Sequence, residues 1–319
     1  MSRWVSLGCW CVAAVAWAVA AVGEFGTIGP LTAMAVALTP AFTLGVIVSI
    51  LTAACFRQWW PALASAALLI PTVAFGSVAG GSVATDTPVA GVVADGVVIV
   101  SSNVRAGNER IGELADRLAV EAPDIVVFQE LQSTELEAVR RSALSSDHRF
   151  AFVDPRDGYF GGAIFSRWPL TGTVEYVGGY PMAMATVETP TGPLTVINVH
   201  VAPPTSWRNY ELWSRQLGEL HERLRRAAGP LVMLGDFNAT GDHVELRVLS
   251  EVGSSRGLAA FRSFPVSGLM PPLLALDHAF VSGGACLVDV VALAENPGSD
   301  HRAMRATVAS PYTLDTACR

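Results

Sequence analysis

Charge is what this sequence has least of. Only 15% of its 319 residues are charged against 51% hydrophobic, no lysine occurs, and all 21 cations are arginine. An ordinary soluble domain carries about 25% charged residues, so the chain taken whole does not have that composition. The shortage is local. No charge lies between Trp4 and Gly23, between Thr27 and Phe56, or between Gln58 and Thr85, and each run reaches the roughly 20 residues that cross a hydrocarbon core. The first run alone would also suit a secretory signal peptide, with Arg3 as its basic region and small residues near Ala20 for cleavage. Two further runs favour a membrane anchor of three transmembrane helices over residues 1–84. The lack of charge inside the runs removes a transporter reading, because functional spans carry ionisable groups.

The few cations near the runs orient them. Arg3 precedes the first run and Arg57 lies between the second and third, while the first link carries only Glu24. The positive-inside rule then puts the N-terminus in the cytoplasm and everything beyond about residue 85 on the extracytoplasmic side. Trp4, Trp59 and Trp60 stand where interfacial aromatics belong.

Cysteine and surplus basic charge are scarce too. Cys9, Cys11 and Cys55 lie in or beside the apolar runs, and Cys286 and Cys318 have no metal-type spacing, which excludes a zinc set. Those last two are compatible with one disulfide or with two thiols. Of 21 cations only Arg3 and Arg57 precede residue 85, and of 28 acids only Glu24 does, leaving 19 against 27 beyond it and a net charge of about −8. That balance opposes tight binding of long nucleic acid, which rests on phosphate neutralisation.

What is present begins with a change of texture. Residues 85–95 close a stretch of small residues that reads as a linker, residues 96–310 alternate apolar strands with amphipathic helices as one α/β domain, and 311–319 form a tail. GVVIVSSN and DIVVFQE are strands, with a helix between them that places Ile111, Leu114, Ala115 and Leu118 on one face behind Asn108 as its cap. Thr134 and Glu137 are spaced as a capping box for a second helix. A longer helix starts near Ser206 and stops at Gly229 and Pro230.

Six apolar strands are interrupted at an end by polar side chains. Asn103 follows VVIVSS, Glu130 follows DIVVFQ, and Asn198 and His200 close TVINVH; Asp236 and Asn238 follow LVMLG, Asp277 and His278 follow LLAL, and Asp300 and His301 precede the last strand. Each alone has an ordinary reading, as a solvated strand end or a turn that bonds its own backbone. Alternation, however, puts Asn198 with His200 and Asp236 with Asn238 on shared faces, and strand ends are where an α/β domain gathers its chemistry.

In order and company, SSNVR, VVFQE, GGAIFSRWPL, INVH, GDFNA, LDHAFV and SDHRAM resemble the endonuclease/exonuclease/phosphatase superfamily over residues 97 to 308. That group includes pancreatic-type deoxyribonuclease, abasic-site endonucleases, bacterial sphingomyelinases and inositol-polyphosphate 5-phosphatases. The resemblance implies a four-layer sandwich of two mixed β-sheets flanked by helices, and a metal-dependent hydrolase of phosphoester bonds. It implies Mg²⁺, with Mn²⁺ as an alternative, near Asn103, Glu130 and Asp300, and catalytic duties for His200, Asp236, Asn238, Asp277 and His301. Within it, Asp277 orients His301, Asp236 holds the attacking water and Asn238 binds a phosphate oxygen. Hard oxygen ligands and paired imidazoles suit phosphoester hydrolysis on chemical grounds as well. The substrate is expected to be a lipid headgroup or small phosphoester, with an extracytoplasmic nuclease and an inactive binding module as alternatives, and no obligate protein partner is implied.

Overall fold

The computed structural model describes residues 2–55, 96–255, 262–266, 272–294 and 296–309. The third charge-free run, the 85–95 linker, Cys318 and the 311–319 tail lie outside them. The first two runs form α1 (Ser2–Phe25), α2 (Pro30–Ala37) and α3 (Thr39–Cys55). Among the described residues only Leu7–Phe25 is by itself a helix long and apolar enough to cross a membrane. The second run is not the straight span expected from its length, because α2 and α3 meet at a bend of 62°. Pro40 is the physical reason: it lacks an N–H and its ring clashes with the carbonyl four residues back, so α2 ends at Ala37 and a new helix starts with proline in its first turn. Of the three expected transmembrane helices, the described residues thus give one clear span and one bent pair, and the third lies outside them. α1 and α3 pack on each other, yet Leu7, Val15, Trp17, Val48 and Leu51 stay exposed on a surface with no compensating charge.

The rest of the chain forms β1 (Val97–Asn103), α4 (Ile111–Ala119), β2 (Ile125–Gln129), α5 (Ser133–Arg141), α6 (Leu144–Asp147), β3 (Phe150–Asp154), β4 (Gly162–Ser166), β5 (Leu170–Val177), β6 (Tyr180–Thr189) and β7 (Gly192–His200). It continues with α7 (Trp207–Arg225), β8 (Leu231–Asp236), α8 (Val244–Arg247), α9 (Leu249–Val252), β9 (Ser254–Ser255), β10 (Asp277–Ser282), β11 (Cys286–Ala292) and β12 (Met304–Ala309). Two six-stranded sheets result, in the orders β11-β12-β1-β2-β4-β3 and β5-β6-β7-β8-β10-β9. Both are mixed: β1 runs parallel to β2 and β7 to β8, and the remaining pairs are antiparallel.

The near-continuous apolar sequence of β1, β2 and β8 follows from burial on both faces. Alternate residues such as Ile99, Val127, Ile164, Val196, Leu234 and Val281 meet between the sheets. Their neighbours Val100, Val126 and Phe128 turn outward onto Leu114, Leu118 and Val139 of α4 and α5. Ile197, Met233 and Phe280 turn the other way, onto Trp213, Leu217 and Leu220 of α7. Helix, sheet, sheet, helix is the layering that the resemblance implied.

Local capping differs from the sequence reading in two places. The N-cap of α4 is Arg110, and Asn108 acts one turn earlier by accepting from its N–H at 2.8 Å. The capping box of α5 is Gln132 with Glu135, two residues before the expected pair, because Gln132 is the last extended residue. Ser206 does cap α7, accepting from Asn209 N at 3.2 Å.

Candidate active site

β1, β2, β7 and β8 end at the same rim of the sandwich. In the parallel pair β7–β8, His200 lies opposite Asp236, and in the antiparallel pair β8–β10, Asp236 also lies opposite Asp277. Asn103 and Glu130 arrive from the other sheet, so the site straddles the seam between the two. A polar rung beneath it ties the sheets together: Gln129 Nε2 donates to Asn198 Oδ1 at 2.5 Å and to Ser101 Oγ at 3.0 Å, and Asn198 Nδ2 donates to Phe128 O at 2.7 Å. Asn198 therefore shares the face of His200 but acts one layer down, as a structural brace. Gly235 makes this close approach feasible. Its φ is +140°, and a Cβ there would lie 2.1 Å from Val199 O and 2.9 Å from Gln129 Nε2.

Asn103 Nδ2 donates to Glu130 Oε1 at 2.9 Å and to Asp236 Oδ2 at 3.1 Å, so two carboxylates from different sheets converge on one amide. Glu130 Oε2 accepts from Ala106 N at 3.0 Å, and Asp236 Oδ1 accepts from Asn238 N at 2.8 Å. His200 Nε2 stands 3.5 Å from Glu130 Oε1 and 4.0 Å from Asp236 Oδ2, while His301 Nε2 stands 3.6 Å from Asp236 Oδ2. His301 Nδ1 bonds Asp277 Oδ2 at 2.8 Å. Among the described residues, three of the four non-glycine residues with positive φ are here, Arg105, Glu130 and Asn238. Backbone held in that region costs roughly 1–3 kcal/mol per residue and persists only where the surroundings over-determine it.

The electrostatics separate the two groups that face one another. Burial pushes the Asp236 carboxyl up to about 6 against the pull of His301. For His301, burial alone would lower the pKa, but the charges of Asp277, Asp236 and Asp300 outweigh it and raise the imidazole to about 10. His301 is thus an imidazolium at neutral pH and Asp236 a carboxylate that readily accepts a proton.

Seven of the eight residues singled out from the sequence meet through these contacts: Asn103, Glu130, His200, Asp236, Asn238, Asp277 and His301. Asp300 is adjacent but not bonded to them; its carbonyl accepts from Val266 N, and its charge acts on His301. His200 is oriented by a backbone carbonyl and not by a carboxylate of the loop after β3. Its Nδ1 bonds the carbonyl of Tyr159 at 2.8 Å, and Asp154 pairs with Arg156 instead. His278 points away from the rim, bonding Ala239 O at 2.8 Å beside Phe237. Arg167 is held by Asp124 at 3.4 Å, far along β4, whereas Arg105 is exposed next to Asn103.

Sequence reasoning missed the residues that brace His301. Ser299 Oγ donates to Asn103 O at 2.6 Å and accepts from His301 N at 3.0 Å. Asn296 Nδ2 donates to His301 O at 2.6 Å, and the ring of Phe264 lies 4.9 Å from the imidazole. Ser299 opens the SDHR motif and was the one signal available.

No group of three or more His, Cys, Asp or Glu side chains is spaced to hold a metal among the described residues. The donors that do converge, Glu130 with Asn103 and Asp236, are hard oxygens and an amide with no thiolate. That set fits a small cation that takes few protein ligands and keeps its waters, as Mg²⁺ does.

A sequence profile described as the Endonuclease/Exonuclease/phosphatase family matches residues 100–301, well over half of the chain. The chain belongs to the endonuclease/exonuclease/phosphatase family. Members of this family are hydrolases that act on phosphoester bonds and generally use divalent metal ions. The fold is similar to that of an endonuclease/exonuclease/phosphatase from Beutenbergia cavernae, at 17% identity and TM-score 0.54, covering 68% of this chain and 72% of that one. It is similar also to humanized D. rerio TDP2, at 16% and 0.54 over 68% and 100% of the two chains. A third is the 3′-5′ exonuclease NExo from Neisseria meningitidis, at 21% and 0.51 over 66% and 98%. D. rerio TDP2 has been solved with a single-strand DNA product and NExo with a product DNA hairpin. No curated protein matches the sequence.

Proposed function

We propose that this family member is a divalent-metal-dependent phosphodiesterase or phosphatase, anchored in a membrane by its N-terminal helices, with its site on the extracytoplasmic side and a small or lipid phosphoester as substrate. The observation that carries the chemistry is the facing pair of Asp236, raised to about 6, and His301, raised to about 10, at 3.6 Å. Asp236 takes a proton from the attacking water near neutral pH. The His301 imidazolium, fixed by Asp277, stays charged and stabilises the negative phosphoryl oxygens. Asn238 binds a phosphate oxygen alongside it. His200 is held through Nδ1 by Tyr159 O, which turns its Nε2 to the site, where it contacts the phosphate or assists the leaving group. Glu130 and Asn103 hold Mg²⁺ or Mn²⁺, with Asp300 nearby. When bound, the metal polarises the phosphoryl group and neutralises charge in the transition state.

Three observations support the location. α1 carries no charge between Arg3 and Glu24 and exposes Leu7, Val15 and Trp17, and Arg3 stands at its N-terminal end. The link that follows α1 touches the catalytic domain, through Thr27 N to Glu245 Oε1 at 2.7 Å, so the two share one side of the membrane. Cys286 is disulfide-bonded, its partner lying outside the described residues, as suits an oxidising compartment.

A nuclease is the second reading, favoured by the DNA products bound to TDP2 and NExo. The acidic balance of the domain weighs against it. An inactive binding module is disfavoured because every expected catalytic side chain is present. The test is a screen of the purified full chain on phosphomonoesters, phosphodiesters, phospholipids and DNA with Mg²⁺, Mn²⁺ or chelator, with Asp236→Asn as control. Metal-dependent hydrolysis lost in the control is the expected result; no hydrolysis of any class refutes the proposal.

A further inference from the structure

The link between α1 and α2 is docked on the end of the sandwich that carries the site. Thr27 gives two hydrogen bonds to Glu245 Oε1, from its N at 2.7 Å and its Oγ1 at 2.6 Å, and its carbonyl accepts from the Tyr210 hydroxyl. Arg247 reaches back to Glu24 at 3.1 Å and to Gly23 O at 3.2 Å. The Trp207 indole lies over Gly29 so closely that a Cβ there would come within 2.5 Å of it. From α2, Ala33 O accepts from His243 Nε2 at 2.9 Å; the other ring nitrogen accepts from Thr240 N at 3.0 Å, so the ring is neutral and protonated on Nε2.

All these partners sit just beyond the ends of β7 and β8, the strands that deliver His200, Asp236 and Asn238. Tyr210 stacks on Trp213 at 5.9 Å, His243 meets the same indole edge-on at 5.3 Å, and Trp213 Nε1 donates to Asn238 O at 3.1 Å. Two rings therefore separate the link from a phosphate-site residue.

Distance along the chain decides where this end must lie. Thr27 is two residues past the end of α1 at Phe25, a reach of at most about 7 Å. The polar layer on each side of a hydrocarbon core is roughly 5–7 Å thick. Tyr210 and Glu245 are thus at headgroup depth once α1 spans. Trp207 is 64% exposed and Phe25 92% exposed, and Ile28 and Leu31 lie open beside them, an aromatic and aliphatic rim of the kind that settles at a membrane interface.

We propose that the docked link holds the catalytic mouth within the headgroup layer, and that the substrate is a phosphoester anchored in the same membrane. This rests on the phosphoesterase reading above and narrows its substrate class. Confinement replaces a three-dimensional search with a high local concentration of membrane-borne ester.

The experiment uses the full chain reconstituted into vesicles of phosphatidylcholine, phosphatidylethanolamine and phosphatidylglycerol in equal parts, with Mg²⁺. Headgroup release by mass spectrometry is compared with hydrolysis of the water-soluble diester bis(p-nitrophenyl) phosphate. Glu245→Ala removes the Thr27 acceptor, and Trp207→Ala, at an exposed position, removes the interfacial ring with little folding risk. The expected result is vesicle hydrolysis that falls at least fivefold in both variants, with soluble-diester turnover within twofold of the parent. Soluble-diester or single-strand DNA cleavage without headgroup release, or variants that lower both activities equally, overturns the inference and leaves the phosphoesterase reading standing. Failure to cleave any of these substrates overturns both.

Discussion

Replacing Asp277 with Asn tests the electrostatic core of the proposed mechanism. His301 is raised from 6.5 to about 10 although its burial alone would lower it, with Asp277 the largest of the raising charges. The net rise corresponds to about 5 kcal/mol of preference for the imidazolium. An amide at position 277 keeps the shape of the contact at 2.8 Å but removes its charge, leaving Asp236 and Asp300 to oppose desolvation. The pKa of His301 should then fall by at least about two units. In kcat/KM for bis(p-nitrophenyl) phosphate at saturating Mg²⁺, the parent should show no alkaline limb below about pH 9, whereas the variant should acquire one near pH 7–8. Stability gives a second readout. A histidine whose folded pKa is raised contributes stability fully present below its unfolded value of 6.5 and lost as pH rises through about 10. The variant should therefore lose most in urea titrations near pH 6 and little above pH 10. An unchanged alkaline limb, or a stability cost that does not vary with pH, would refute the assignment of His301 as a permanent cation.

Asp236→Asn should abolish turnover yet stabilise the metal-free protein at pH 8 by up to about 3 kcal/mol, because a carboxyl raised from 3.8 to about 6 opposes folding increasingly as pH climbs through that window. A lowered Tm at pH 8 would contradict this. Glu130→Gln should weaken Mn²⁺ binding by at least about tenfold in calorimetry while leaving the circular dichroism unchanged; equal affinity would remove Glu130 from the metal site. Gly235→Ala should cost more than about 3 kcal/mol in urea unfolding, since its Cβ would strike Val199 O at a φ of +140°. Unfolding indistinguishable from the parent would show that β7 and β8 can part without loss.

Much of the domain could be read from the sequence because its signals are local. Two-sided burial makes β1, β2 and β8 continuous apolar runs, and the polar residues that end them stand out for that reason. β5 leaves little signal in the sequence, since its residues are mostly half-buried or exposed and carry no strong apolar run. The second apolar run was long enough for a span by count, but Pro40 turned it. The orienting partner of His200 is a backbone carbonyl, which no side-chain pattern announces. Docking of Thr27 on Glu245 bridges 218 positions of sequence between residues that look like an ordinary link and an ordinary helix. Nothing in either stretch advertises the other.

The division of the site across the sandwich seam has a temporal consequence. Asn103 and Glu130 are contributed early in the chain, His200, Asp236 and Asp277 by the other sheet, and His301 comes only at residue 301, just ahead of β12. β12 lies between β1 and β11, and the residues just ahead of it bring His301 to Asp277. A chain still being made holds Asn103, Glu130, His200, Asp236 and Asp277 before it holds His301. On the proposed mechanism, the site is complete only once the segment leading into the last strand is in place.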